Sequence, residues 1–241
     1  IAGLVTNNAV MTSTGMLNGG LNNRASASVS GVLNGTVTNS GTITLTGITT
    51  GIGAVTQSST GRFELDGHDT GFGSLAGNGT VMLGGATLTL GGNNASTSFG
   101  GTIGGSGNVT KTGTGTLTLT GTSGYTGTTT ISAGAPMLAA TGELQGAVRN
   151  DANFENAGRV NGLVTNTGDL YSTGTLAGGL SNSGTAAIAG TLTGAVTNSG
   201  VIGLVGSTSG IGTVNQTASG SFYLNGFSTS FDSLTGAGTV L

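Results

Sequence analysis

One asparagine recurs every sixteen residues in two parts of this chain, and that fixed interval narrows the folds open to it. It stands at Asn7, Asn23 and Asn39, then at Asn150, Asn166, Asn182 and Asn198. The rungs read LVTNTGDLYSTGTLAG from Leu163, GLSNSGTAAIAGTLTG from Gly179 and AVTNSGVIGLVGSTSG from Ala195. Each keeps an apolar second position (Val164, Leu180, Val196), then the Asn, then Gly two residues on (Gly168, Gly184, Gly200). A further apolar column runs through Leu170, Ala186 and Ile202.

Within a rung the period is two. In TITLTG, Thr42 to Gly47, Ile43 and Leu45 fall on one face and the threonines on the other, which is the alternation of a half-buried strand. Thr, Val and Ile favour strands, whereas Gly and Asn end them by accepting positive φ at turns. Helical solenoids need longer repeats and an amphipathic 3.6-residue pattern, which is absent. A short β repeat cannot bury its own apolar face and is stabilised by stacking on the next one. The sequence therefore predicts an all-β, right-handed parallel β-helix with rungs of about 16 residues. About a dozen coils at ~4.8 Å each would give a rod of roughly 60 Å. Fifty-one glycines without a G-X-Y period, and a single proline, exclude collagen.

The rungs belong to a larger unit. Ile1 aligns on Val160, Gly3-Leu4-Val5-Thr6-Asn7 on Gly162-Leu163-Val164-Thr165-Asn166 and Leu75 on Leu234, an offset of 159 residues without a gap. Residues 1–82 and 160–241 are thus read as two copies of one unit within a single continuous solenoid spanning 1–241. Between the copies the spacing widens, so the central coils are expected to be larger. Where the marker Asn lapses, after Ile52 and Ile211, Phe63-x-Leu65 and Phe222-x-Leu224 are expected to supply the bulky inward residues. Pro136 cannot donate to a ladder, so a strand there should start late or lie at an edge.

The central segment, residues 100–134, carries a specific pattern: Gly105-Ser106-Gly107, Val109, Thr110-Lys111, Gly113, Gly115-Thr116-Leu117-Thr118-Leu119, Gly121, Tyr125-Thr126-Gly127 and Ala133-Gly134. It resembles the passenger-associated transport repeat of Gram-negative autotransporters. Two positions depart from that pattern: Ser123-Gly124 occupies the turn where an Asn is usual, and Thr128 replaces the Gly that commonly follows Tyr-Thr-Gly. The resemblance implies a β-helical passenger secreted by type V export and displayed at the bacterial cell surface, with the repeat assisting transport and folding.

The chemistry-bearing residues are few. Charged side chains make up 5% of the chain, with no cysteine and no tryptophan, so disulfides, thiol catalysis and Cys-ligated zinc are excluded. The five basic residues, Arg24, Arg62, Lys111, Arg149 and Arg159, are scattered, whereas nucleic-acid binding needs a concentrated basic surface. No apolar run approaches the roughly 20 residues that span a bilayer. The densest polar cluster is Glu64, Asp66, His68 and Asp69. If Phe63 and Leu65 point inward, alternation puts Glu64, Asp66 and His68 together on the outer face. A carboxylate pair at i and i+2 lies about 6.5–7 Å apart, which glycoside hydrolysis or a cation could use. The second unit has Tyr223, Asn225, Phe227 and Ser228 instead, which favours a solvated polar face. Tyr125, Tyr171 and Tyr223 could present rings to sugars.

The Asn column is expected to be structural, its stacked amides bonding from coil to coil, rather than a polar row for ice, sugar or metal. The expected function is that of a non-enzymatic extracellular adhesin or surface stalk, without catalytic residue, metal or cofactor. Its partners would be a host or neighbouring-cell surface, or copies of itself. A self-assembling filament built by end-to-end stacking is the alternative, and a β-helical polysaccharide-degrading enzyme a lesser one.

Overall fold

The structure, a computed structural model, describes residues 1–241, all of them in strands, turns and irregular segments. No helix is long and apolar enough to cross a membrane. The chain winds as a β-solenoid of about 13 turns, and the pairings between its strands are parallel. They fall into sheets of 19, 10 and 5 strands.

Three inward columns build the core. Phe154, Leu170, Ala186, Ile202 and Phe222 stack in register on one face. Val148, Val164, Leu180, Val196 and Val214 stack on the second, and Leu144, Val160, Leu176 and Leu192 on the third. All are buried and belong to one cluster of 44 residues running along the axis. Because side chains alternate across a strand, inward apolar residues alternate with outward ones, and stacking buries the inward set. Phe63, Leu65 and Phe222 are fully buried, and Leu224 packs against the same core.

Coil length varies along the rod. Val164 pairs with Leu180, sixteen residues on, but Val196 pairs with Val214, Val109 with Thr129 and Val81 with Ile103. The short coils are those marked by Asn. In two of the N-terminal coils the strand does not break at the corners: Ser26–Asn39 and Thr42–Gln57 run on through them. Gly31 and Gly35, with φ of 97° and 110°, sit where their pairing slips register. Their backbone conformation is one that only glycine adopts without strain. The strand Met137–Leu138 starts directly after buried Pro136, whose carbonyl still accepts from the next coil.

The N-x-G column has a spatial cause. A Cβ on Gly184 would lie 2.2 Å from the Gly168 carbonyl oxygen, and one on Gly200 would lie 2.2 Å from that of Gly184. At this corner each coil's backbone rests directly on the last. Gly184→Ala should therefore destabilise the rod, seen as a clear fall in the urea midpoint. Gly124→Ala, where a Cβ meets nothing within 4 Å and φ is not left-handed, should be neutral or stabilise by about 0.4–1 kcal/mol. Equal midpoints for the two variants would refute the close-contact explanation.

Candidate functional site

The polar cluster does not assemble as alternation predicts. The strand Arg62–Glu64 ends one residue before Leu65, and Asp66-Gly67 turn through left-handed conformations with φ of 49° and 81°. Asp66 therefore leaves the strand, and the i, i+2 carboxylate pair is not a pair on one pleated face. Glu64 accepts from Arg62 Nε and from the Thr44 hydroxyl at 2.9 Å. The Arg62 hydrogen bond, with smaller help from Thr44, holds its carboxyl below the usual carboxylate range despite partial burial. Asp69 accepts the backbone N–H of Thr87 at 2.7 Å, joining two coils. Glu64 and Asp66 share the lip of a shallow groove of about 190 Å³ with Arg62, Met82 and Gly84. His68 and Asp69 lie outside it. Arg62, which decides the state of Glu64, was not singled out by sequence reasoning, although it sits on the same face two residues away.

The asparagines form two separate buried ladders. Asn150 Nδ2 donates to Asn166 Oδ1 at 2.6 Å, Asn166 to Asn182 at 2.8 Å and Asn182 to Asn198 at 2.8 Å. Asn7, Asn23 and Asn39 repeat this at 2.7 and 2.8 Å. Each amide nitrogen also reaches a carbonyl on the following strand of the next coil, as Asn166 does to Thr185 at 2.9 Å. The first asparagine of each ladder accepts from its own coil. Asn7 and Asn150 turn Oδ1 onto the N–H two residues on, at Ala9 and Ala152. Gln57 takes the next place in the first ladder, accepting from Asn39 at 2.7 Å and donating to the Thr80 carbonyl. With oxygen and nitrogen both occupied inside the rod, these amides offer nothing to an outside ligand.

The central segment holds two unusual buried groups. Lys111 ends the strand Asn108–Lys111 with 3% exposure. Its ammonium donates to the carbonyls of Thr112 at 2.5 Å and Gly113 at 3.0 Å, with no carboxylate beside it. Gly91 and Gly134 leave room for it, since a Cβ on either would approach Nζ to 3.0 Å. Burial alone lowers its pKa. Tyr125 is fully buried, its hydroxyl bonded to that of Thr129, and desolvation pushes its pKa up to about 12. It cannot offer a ring to a sugar, contrary to expectation, whereas Tyr171 and Tyr223 are 49% and 36% exposed. Strand alternation could have flagged Lys111 as inward, being two residues from Val109, but a lysine at such a place is normally read as solvated.

A lowered lysine pKa destabilises the charged folded form, so the penalty is full at low pH and lifts as pH rises toward the ordinary value of 10.5. The stability of the wild type relative to Lys111→Met should accordingly increase with pH up to that value, in urea melts run at several pH values. A pH-independent difference would mean that the ammonium is effectively solvated.

No curated protein and no solved structure matches the chain. One family does: residues 109–135, the stretch that runs from Val109 through Lys111 and Tyr125, match the Passenger-associated-transport-repeat.

Proposed function

We propose that this chain is a non-catalytic passenger segment, exported by the type V route and displayed outside a Gram-negative cell, where the rod serves as a stalk with adhesive capacity. The observation that carries this reading is the position of the transport repeat. It is built into the solenoid, not appended to it: Val109 pairs back to Leu88 and forward to Thr129, which pairs on to Val148. Solenoid order propagates from neighbour to neighbour. An interior coil with its own specific contacts, here Lys111 and Tyr125, is suited to start that propagation once the chain has crossed a membrane.

The side-chain chemistry supports the same reading. Of the polar cluster, Glu64 is committed to Arg62 and Asp69 to a backbone amide. What the rod does offer is length and long outward faces.

The test is display. Joined to an outer-membrane translocator barrel in a laboratory Gram-negative strain, the chain should become accessible to external protease and antibody. The cells should then attach to host cells or to one another more than cells carrying the barrel alone. Lys111→Ala combined with Tyr125→Phe should lower the displayed, protease-resistant fraction several-fold. Display unaffected by that double variant would refute the role given to the repeat, and displayed cells that attach no better than controls would refute adhesion.

A further inference from the structure

The outward columns of the first face differ between the two copies of the repeat in a way that the inward columns do not. Ala186, Ile202 and Phe222 fall on the identical residues Ala27, Ile43 and Phe63 at the offset of 159, and Leu170 falls on Met11, another large apolar residue. Outward, Tyr171, Ala187, Gly203 and Tyr223 stack on consecutive coils, and their counterparts Thr12, Ser28, Thr44 and Glu64 stack in the same column of the first copy. None of the four is retained. The core demands the inward residues, and nothing inside the rod demands the tyrosines.

Tyr171 and Tyr223 stand three coils apart, about 14 Å at ~4.8 Å per coil, with a floor of Ala187 and Gly203 between them. Alongside Tyr171 lies an open groove of about 340 Å³, bordered by Glu155, Asp169 and Ala187. Glu155 precedes Tyr171 in the same column. Both carboxylates are exposed. Neither takes part in an ion pair, the chain's two pairs being Arg62–Glu64 and Arg149–Asp151. The groove thus combines one exposed tyrosine ring, that of Tyr171, with free negative charge.

We propose that this groove binds a linear glycan of amino sugars that carry free amines. The apolar face of a pyranose stacks on a tyrosine ring, and an ammonium next to the ring is attracted both to the π face and to a carboxylate. Glu155 and Asp169 supply the carboxylates. The floor of Ala187 and Gly203 continues along the axis from Tyr171 to Tyr223, which suits a polymer of ring-sized steps, and the open groove provides no walled pocket for a single peptide side chain. The proposal rests on the adhesive reading only for where the ligand is met; the binding itself belongs to the isolated chain.

Titration of the purified chain with a fully deacetylated glucosamine hexamer should give saturable binding. Its N-acetylated counterpart should bind about ten-fold more weakly, as should hexalysine. Tyr171→Thr, which installs the residue that the first copy carries at this position, should weaken hexamer binding about ten-fold. Glu155→Gln with Asp169→Asn should abolish the preference for the free amine. Unchanged thermal melting would show that these outward variants leave the rod intact. Absence of saturable binding, hexalysine binding as tight as the sugar, or binding indifferent to Tyr171→Thr would each overturn the proposal. Display and attachment of cells are measured separately, so failure of the glycan titration leaves the surface role standing, and failure of display leaves the titration valid.

Discussion

A buried primary amide must satisfy one oxygen and two hydrogens, and in the ladders of this rod it does so by stacking amide on amide from coil to coil and closing on backbone groups at the ladder ends. That requirement ties coil length to sequence. Where an Asn of one coil meets an Asn of the next, the coils are sixteen residues long and the amides bond at 2.6–2.8 Å. A coil longer or shorter by one residue would face the amide with a different side chain and leave it unpaired, at a cost of about 1–3 kcal/mol for each orphaned group. The ladder therefore fixes register as well as adding hydrogen bonds. Gln57 shows how the constraint is released: its extra methylene lets it accept from Asn39 while the coil grows to eighteen residues. In the second copy Gln216 stands at the matching place and donates to Thr239, but its Oε1 has no partner. Asn198 donates instead to Gly200 and Ser221.

Freed from that register, the middle of the rod solves the same corner problem with a cation. Lys111 occupies the inward end of a strand, two residues after Val109, where the ladders place their Asn; two coils further on, Asn150 pairs directly with Ile131, the residue that pairs with Lys111. Its ammonium has three donors where an amide nitrogen has two, and it bonds carbonyls of its own coil, not of the next. Such a contact does not dictate the length of the neighbouring coil. Along its own sheet the coil steps accordingly range from nineteen residues, Thr129 to Val148, to twenty-one, Leu88 to Val109. The local cost is a buried charge without a counter-ion, softened by hydrogen bonds to backbone dipoles.

Much of this was legible in the residues. The sixteen-residue interval, the alternation and the N-x-G column lead to stacked parallel coils, because each reports a repeating local need: an amide above an amide, an apolar residue inward, a corner without a Cβ. What could not be read were contacts between positions with no fixed spacing. The Arg62–Glu64 pairing competes with the notion of a free carboxylate, and the left-handed turn at Asp66 breaks an alternation that sequence alone extends through His68. Tyr125 reads as an exposed ring until its coil is closed, when its hydroxyl finds Thr129 inside the wall. The outer groove was legible only in part, since Tyr171 and Tyr223 are 52 residues apart in sequence and come to share a column only through the pairing of four coils.

The two faces of each strand obey different constraints, and this explains how one rod can be both uniform and selective. Inward positions are fixed by volume: exchanging Ile202 or Phe222 would open or overfill a close-packed column. Coil-to-coil backbone hydrogen bonds are made whatever the outward side chain is, so Thr12 and Tyr171 can occupy equivalent places on equivalent strands. An outward substitution alters what the surface touches while leaving the core and the amide ladder as they were. A solenoid of this kind can therefore change an outward column without refolding, as the difference between Thr-Ser-Thr-Glu in the first copy and Tyr-Ala-Gly-Tyr in the second shows.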